Sequence, residues 1–122
     1  LDAPGVSAAI FIDCVRIAFG LCSGHIAVFN SSWGKEVQRI DAHLTAVSCL
    51  FFDVETAALF SSGADCSIHS WSWKGNSLAP TPSLIEEDAG NEVVSLTVWP
   101  EPFQLLFAAD CLGTIKAYAL KK

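Results

Sequence analysis

The sequence predicts an all-β chain built from three repeated antiparallel units, and three observations carry that prediction. Short apolar runs, each closed by Gly, Asp, Asn, Ser or Pro, follow one another along the 122 residues. No stretch has the spacing of a long amphipathic helix. Residue types in the first unit recur at matched positions in the next two.

The first unit shows the elements in order. Val6 to Ile12 reads as a strand, Asp13-Cys14 as a turn, and Val15 to Leu21 as a second strand. A tight turn at Cys22-Ser23-Gly24 leads into His25 to Phe29, and a polar loop from Asn30 to Lys35 precedes Glu36 to Ile40. These are four short strands with antiparallel connections.

The repeat appears when Ile26, Ile68 and Ile115 are placed in one column. Two residues earlier stand Gly24, Cys66 and Gly113, and nine earlier stand Ile17, Leu59 and Leu106, followed by Ala18, Phe60 and Phe107. Three residues later come the aromatics Phe29, Trp71 and Tyr118. Upstream, Val6-Ser7, Val47-Ser48 and Val94-Ser95 open the first strands, with Phe11, Phe52 and Trp99 five residues beyond each Val. The units are offset by 41 or 42 residues and then by 47, the longer step falling in the segment from Asn76 to Asn91 with its two prolines.

A period of roughly 40–45 residues with four strands per period is the mark of a propeller blade. The sequence resembles the WD40 repeat family over essentially its whole length, and the middle unit carries the resemblance best. Ala42-His43 stands for the family's Gly-His, Leu59 to Asp65 for the second strand and its turn, and Trp71-Ser72 for Trp-Asp. His43 precedes Trp71 by 28 residues, as is typical of the family. The Trp-Asp pair is never complete, reading Phe29-Asn30, Trp71-Ser72 and Tyr118-Ala119, and Asp2 and Gly90 stand where the other units would carry His.

The resemblance implies a β-propeller fragment of about three four-stranded blades, residues 1–41, 42–89 and 90–122, the last lacking its outer strand. That makes eleven strands: four, four and three. A three-blade arc would leave an apolar blade face bare at each end, and rings of this kind need about four to eight blades. The chain is therefore expected to be the C-terminal part of a larger propeller, the remaining blades coming from the same polypeptide or a partner.

His43, Ser61 and Asp65 are also the ingredients of a hydrolase triad. The resemblance implies instead a buried structural tetrad with Trp71, in which Asp65 accepts from His43, His43 pairs with Ser61, and Ser61 accepts from the indole. A nucleophilic serine needs an exposed turn and oxyanion donors, whereas Ser61 falls within a strand. No G-x-G-x-x-G or P-loop is present, so no enzyme and no cofactor is expected.

Composition narrows the rest. Hydrophobic residues make up 52% and charged residues 16%, which suits sheets buried on both faces. The longest stretch without formal charge, Ile17 to Gly34, contains glycines, serines and His25 and does not suit a bilayer. The net charge of −6 argues against direct nucleic-acid binding. Five cysteines form no C-x-x-C pair; no metal site is expected, and reduced thiols imply an intracellular protein, cytoplasmic or nuclear. The Asn30-Ser31-Ser32 sequon would be idle there.

Glu86, Glu87, Asp88, Glu92 and Asp110 fall in loops expected to share one face of the ring, where they could attract a basic peptide. Trp33 and Trp73 are expected in loops on the opposite face. The function expected is a non-catalytic protein–protein interaction scaffold in a multiprotein complex. The alternatives are the regulatory propeller of a longer enzyme and a small ligand-binding β-barrel.

Overall fold

The computed structural model describes residues 5–120, which form twelve strands and no helix. Asp2, the first unit's counterpart of His43, lies outside the described residues. The first sheet holds β1 (Val6–Phe11), β2 (Arg16–Leu21), β3 (His25–Asn30) and β4 (Lys35–Asp41), hydrogen-bonded in that order. The second holds β5 (Val47–Asp53), β6 (Ala58–Gly63), β7 (Ile68–Lys74), β8 (Ser77–Leu78) and β9 (Ser83–Glu86). The third holds β10 (Val93–Trp99), β11 (Leu105–Asp110) and β12 (Ile115–Ala119). All pairings are antiparallel. These are three blades of a β-propeller, and their separation into three sheets removes the β-barrel alternative.

One strand more is present than the eleven expected. The outer strand of the second blade is split: β8 pairs with the end of β7 and β9 with its start. Between them lie Pro80 and Pro82, which cannot donate to a ladder.

The blades pack face to face through two cores. Ala18, Ile26, Val28 and Ile40 of the first blade meet Val47, Leu50, Leu59, Trp71 and Leu78 of the second. Phe60 and Ile68 of the second meet Val93, Leu96, Leu106 and Ala108 of the third. Because side chains alternate along a strand, Leu59 and Phe60 serve opposite junctions.

A serine repeats at the junctions. Val6, Val47 and Val93 occupy equivalent places, opposite Leu21, Gly63 and Asp110, and each is followed by a bulge. The bulge residue Ser7 donates to the Val47 carbonyl at 2.6 Å, and Ser48 donates to the Val93 carbonyl at 2.8 Å. In the third blade the equivalent residue is Val94, half exposed. The third unit's first strand is therefore set one residue away from the Val94-Ser95 alignment read from sequence. Val98, not Trp99, matches Phe11 and Phe52, since it faces Leu106 as they face Ile17 and Leu59. A one-residue shift reverses every facing, and Trp99 accordingly packs with Phe103 and Phe107 away from the second blade.

Candidate functional site

The segment joining the first blade to the second carries His43 across the turn at Gly24, whose carbonyl accepts from the backbone N–H groups of both Ala42 and His43. Gly24 has a φ of +93°, and a Cβ there would collide with the His43 carbonyl. Gly63 makes room for the ring, since its Cβ would lie 2.6 Å from His43 Nδ1. The imidazole is thereby placed, fully buried, against the inner strands of the second blade.

Five side chains form one chain of hydrogen bonds there. The Trp71 indole N–H donates to Ser61 Oγ at 2.9 Å. Ser61 Oγ lies 2.9 Å from His43 Nε2, and Ser67 Oγ lies 2.8 Å from His43 Nδ1. Ser67 in turn donates to Asp65 Oδ1 at 2.8 Å. A neutral imidazole offers one donor and one acceptor. Protonation at Nδ1 uses each proton once: Trp71 to Ser61, Ser61 to Nε2, Nδ1 to Ser67, and Ser67 to the carboxylate.

This geometry corrects the direct contact expected between His43 and Asp65. Their atoms are 3.6 Å apart, too long for a hydrogen bond, and Ser67 stands between them. Sequence reasoning missed Ser67; a serine two residues after a turn aspartate, placed to satisfy that carboxylate, was the available signal. The Ser67 backbone N–H also donates to Asp65 Oδ1, at 3.2 Å.

Burial, then the neighbouring His69, pushes the His43 imidazole down to about 4 against the pull of Asp65. Burial works to raise the Asp65 carboxyl, but the Ser67 hydrogen bonds and the His43 ring leave it below its usual range. His69 packs against the rings of His43 and Trp71, at centroid distances of 4.8 and 6.1 Å. Burial lowers its imidazole too, and its Nδ1 is buried without a hydrogen-bond partner among the described residues. Ser61 is fully buried, with its oxygen engaged by indole and imidazole, so it offers a substrate no approach.

The five acids are not equivalent. Asp110 is only 8% exposed and organises its own turn, accepting from the Leu112 and Thr114 backbone N–H groups at 2.9 Å and from Asn91 at 3.3 Å. It is therefore a turn-forming group, which corrects its place on a partner-binding face. Glu86 and Asp88 each accept one backbone N–H, from Asp88 and Gly90 respectively. Glu87, Asp88 and Glu92 are exposed. The Cys66 thiol pKa is raised first by desolvation and then by the negative charges of Asp88, Asp65 and Glu92.

Trp33 is 68% exposed in the turn between β3 and β4. Trp73, by contrast, lies within β7 and packs edge-on against Phe52, so it is a strand residue and not a loop residue. Asn30 is buried, and its Oδ1 accepts from the Ser32 and Trp33 backbone N–H groups; the sequon asparagine is a turn cap. All five cysteines are free thiols. Among the described residues, no group of three or more His, Cys, Asp or Glu side chains is arranged to hold a metal, and no helix is long and apolar enough to cross a membrane.

These blades and their buried polar chain define a propeller segment, and comparison with known proteins agrees on the fold. A chain in the crystal structure of a mitotic checkpoint complex superposes with a TM-score of 0.77 over 94% of this chain and 36% of that one, at 18% identity. Protein Atg16l2 of Homo sapiens is 35% identical over 69 residues, which cover 57% of this chain and 11% of that protein. This chain thus spans a minor part of either. No family model matches it.

Proposed function

We propose that the chain is a WD-repeat segment of a larger intracellular propeller that serves as a non-catalytic protein–protein interaction scaffold. The observation that carries this reading is the repeated junction, with the same columns buried between one blade and the next and a serine hydroxyl crossing each time. Such packing holds the loops on a rigid frame, which is what a recognition surface requires. The buried His43 chain ties the connecting segment to that frame.

Incomplete coverage at the two ends supports a larger ring. Ile26 and Ile68 are fully buried, whereas Ile115 in the same column is 69% exposed. At the opposite end Val6, Phe19, Leu21, Ala27 and Phe29 line an apolar hollow of about 250 Å³. Five free thiols favour a reducing compartment. The likenesses to a chain of a mitotic checkpoint complex and to Atg16l2 suit a subunit of an assembly. The exposed acids Glu87, Asp88 and Glu92 suit a basic partner.

Affinity purification of the natural protein, with its partners identified by mass spectrometry, tests this reading. Charge reversal at Glu87, Asp88 and Glu92 is expected to remove a subset of partners while leaving the melting temperature within a degree or two. An unchanged partner set would take the acidic loop out of the binding surface.

A further inference from the structure

The outer strand of the first blade, β4, runs unbroken through Lys35–Asp41, whereas that of the second is cut into β8 and β9. Ala79, Pro80, Thr81 and Pro82 fill the cut, and both of its ends are anchored. Leu78 is almost fully buried, and the Gln38 side chain holds it by the backbone. The Gln38 amide donates to the Leu78 carbonyl at 2.7 Å, and its oxygen accepts from the Leu78 N–H at 2.8 Å. The Ala79 N–H donates to the Ser72 carbonyl at 2.8 Å, and on the far side Ser83 pairs with Ser70. Between these anchors Pro80, Thr81 and Pro82 are exposed.

The Thr81 hydroxyl is unengaged: among the described residues it has no hydrogen-bond partner. Thr56, in the exposed turn after β5, differs in that its Oγ1 donates to Asp53 Oδ2 at 2.6 Å. The two prolines restrict the chain around Thr81. Pro80 fixes its own φ at about −65°, and Pro82 keeps the residue before it out of the helical region. The hydroxyl is thus carried on a short extended stretch, the form of chain that a protein kinase takes into its active site. Pro82 also selects among kinases. Having no N–H, it suits a groove that asks for no hydrogen bond from the residue after the acceptor. Thr81-Pro82 is the only Ser-Pro or Thr-Pro pair in the 122 residues.

We propose that Thr81 is the phosphate acceptor for a proline-directed serine/threonine protein kinase. The Thr81 oxygen attacks the γ-phosphorus of ATP, the new O–P bond replaces the one to the β,γ-bridging oxygen, and ADP leaves. The hydroxyl proton passes to the kinase's catalytic aspartate. Ser83 is the competing acceptor, since Glu86, Glu87 and Asp88 follow it at the spacing an acid-directed kinase would read. Its backbone, however, is paired in the ladder, and Glu86 already accepts the Asp88 N–H at 3.2 Å. The phosphate adds about −1.5 to −2 charges to a chain already at −6. Both arginines of the chain are engaged in the first blade, Arg16 with Asp13 and Arg39 with Glu36, so the phosphate faces outward on the rim. The site goes beyond the scaffold reading and stands whatever partner the acidic loop serves.

The test incubates the full chain with a purified proline-directed kinase, ATP and Mg²⁺, and locates phosphate by fragment mass spectrometry. One phosphate per chain is expected, on Thr81, with the melting temperature unchanged. Thr81→Val should abolish transfer, Thr81→Ser should restore it, and Pro82→Ala should slow it at least tenfold. An acid-directed kinase should be at least tenfold slower on the same chain. The natural protein, isolated with phosphatase inhibitors present, should carry the same mark. Phosphate on Ser83 in place of Thr81 would overturn the proposal and assign the segment to an acid-directed kinase. So would transfer that occurs only once the chain has been unfolded, equal rates for Pro82→Ala, or a natural protein without phosphate on Thr81.

Discussion

The two junctions are built to one plan but secured differently. Both bury a central isoleucine, Ile26 or Ile68, and both are crossed by a serine hydroxyl reaching the next blade's first strand. The first adds the Gln38 clamp on Leu78 and the polar chain from Trp71 to Asp65. At the second, the positions matching Ser61 and Trp71 are Ala108, which is buried, and Tyr118, whose hydroxyl pKa is raised first by burial and then by Glu86. The hydrophobic columns suffice to stack blades; the polar chain fixes how the connecting segment enters one of them.

The largest effect should come from the isoleucine column. Ile26→Ala and Ile68→Ala are each expected to destabilise the chain by about 2–5 kcal/mol, the range for truncating a buried side chain, whereas Ile115→Ala should cost under about 0.5 kcal/mol. Denaturant titration of the three variants measures this. Equal losses would show that the third face is covered in solution.

Acid should weaken the first junction selectively. Folded His43 titrates near 4, against 6.5 for the free side chain, so the folded state favours neutral imidazole. Its contribution is complete above pH 6.5 and is lost as pH falls from there through 4, roughly 3 kcal/mol in all. His69, also lowered, acts in the same direction. His43→Gln should lower stability at pH 7 and flatten this dependence; an unaltered slope would show that His43 is not the titrating group.

A smaller effect is expected at the turn column. Gly24 and Gly113 hold φ values of +93° and +87°, and Cys66 holds the same left-handed conformation at +71°. A side chain there is strained by about 1–2 kcal/mol, partly offset by glycine's greater freedom in the unfolded chain. Cys66→Gly should therefore raise stability by about 0.5–1 kcal/mol in thermal melting. A loss would show that the thiol makes a contact outweighing the strain.

Much of this was legible in the residues. The columns through Ile17, Ile26 and Phe29 gave strand order and pairing, and the resemblance to WD40 repeats implied the approach of His43, Ser61 and Trp71. Three features were hidden. The third unit has seven residues between the paired Val98 and Leu106, against six between Phe52 and Leu59, and no composition marks the added one, so identical Val-Ser pairs fell out of register. The prolines between Asn76 and Asn91 announced a loop, yet short pairings on either side of them made two strands. Asp110 reads as a surface charge until three donors are seen to converge on it.

By itself the sequence determined the local alternation and its recurrence, because a strand's two faces are written every second residue and a repeat copies them. Only the tertiary structure decided which of those faces are covered. Burial is a property of the neighbour: the same isoleucine is core in two blades and surface in the third, according to whether another sheet stands against it.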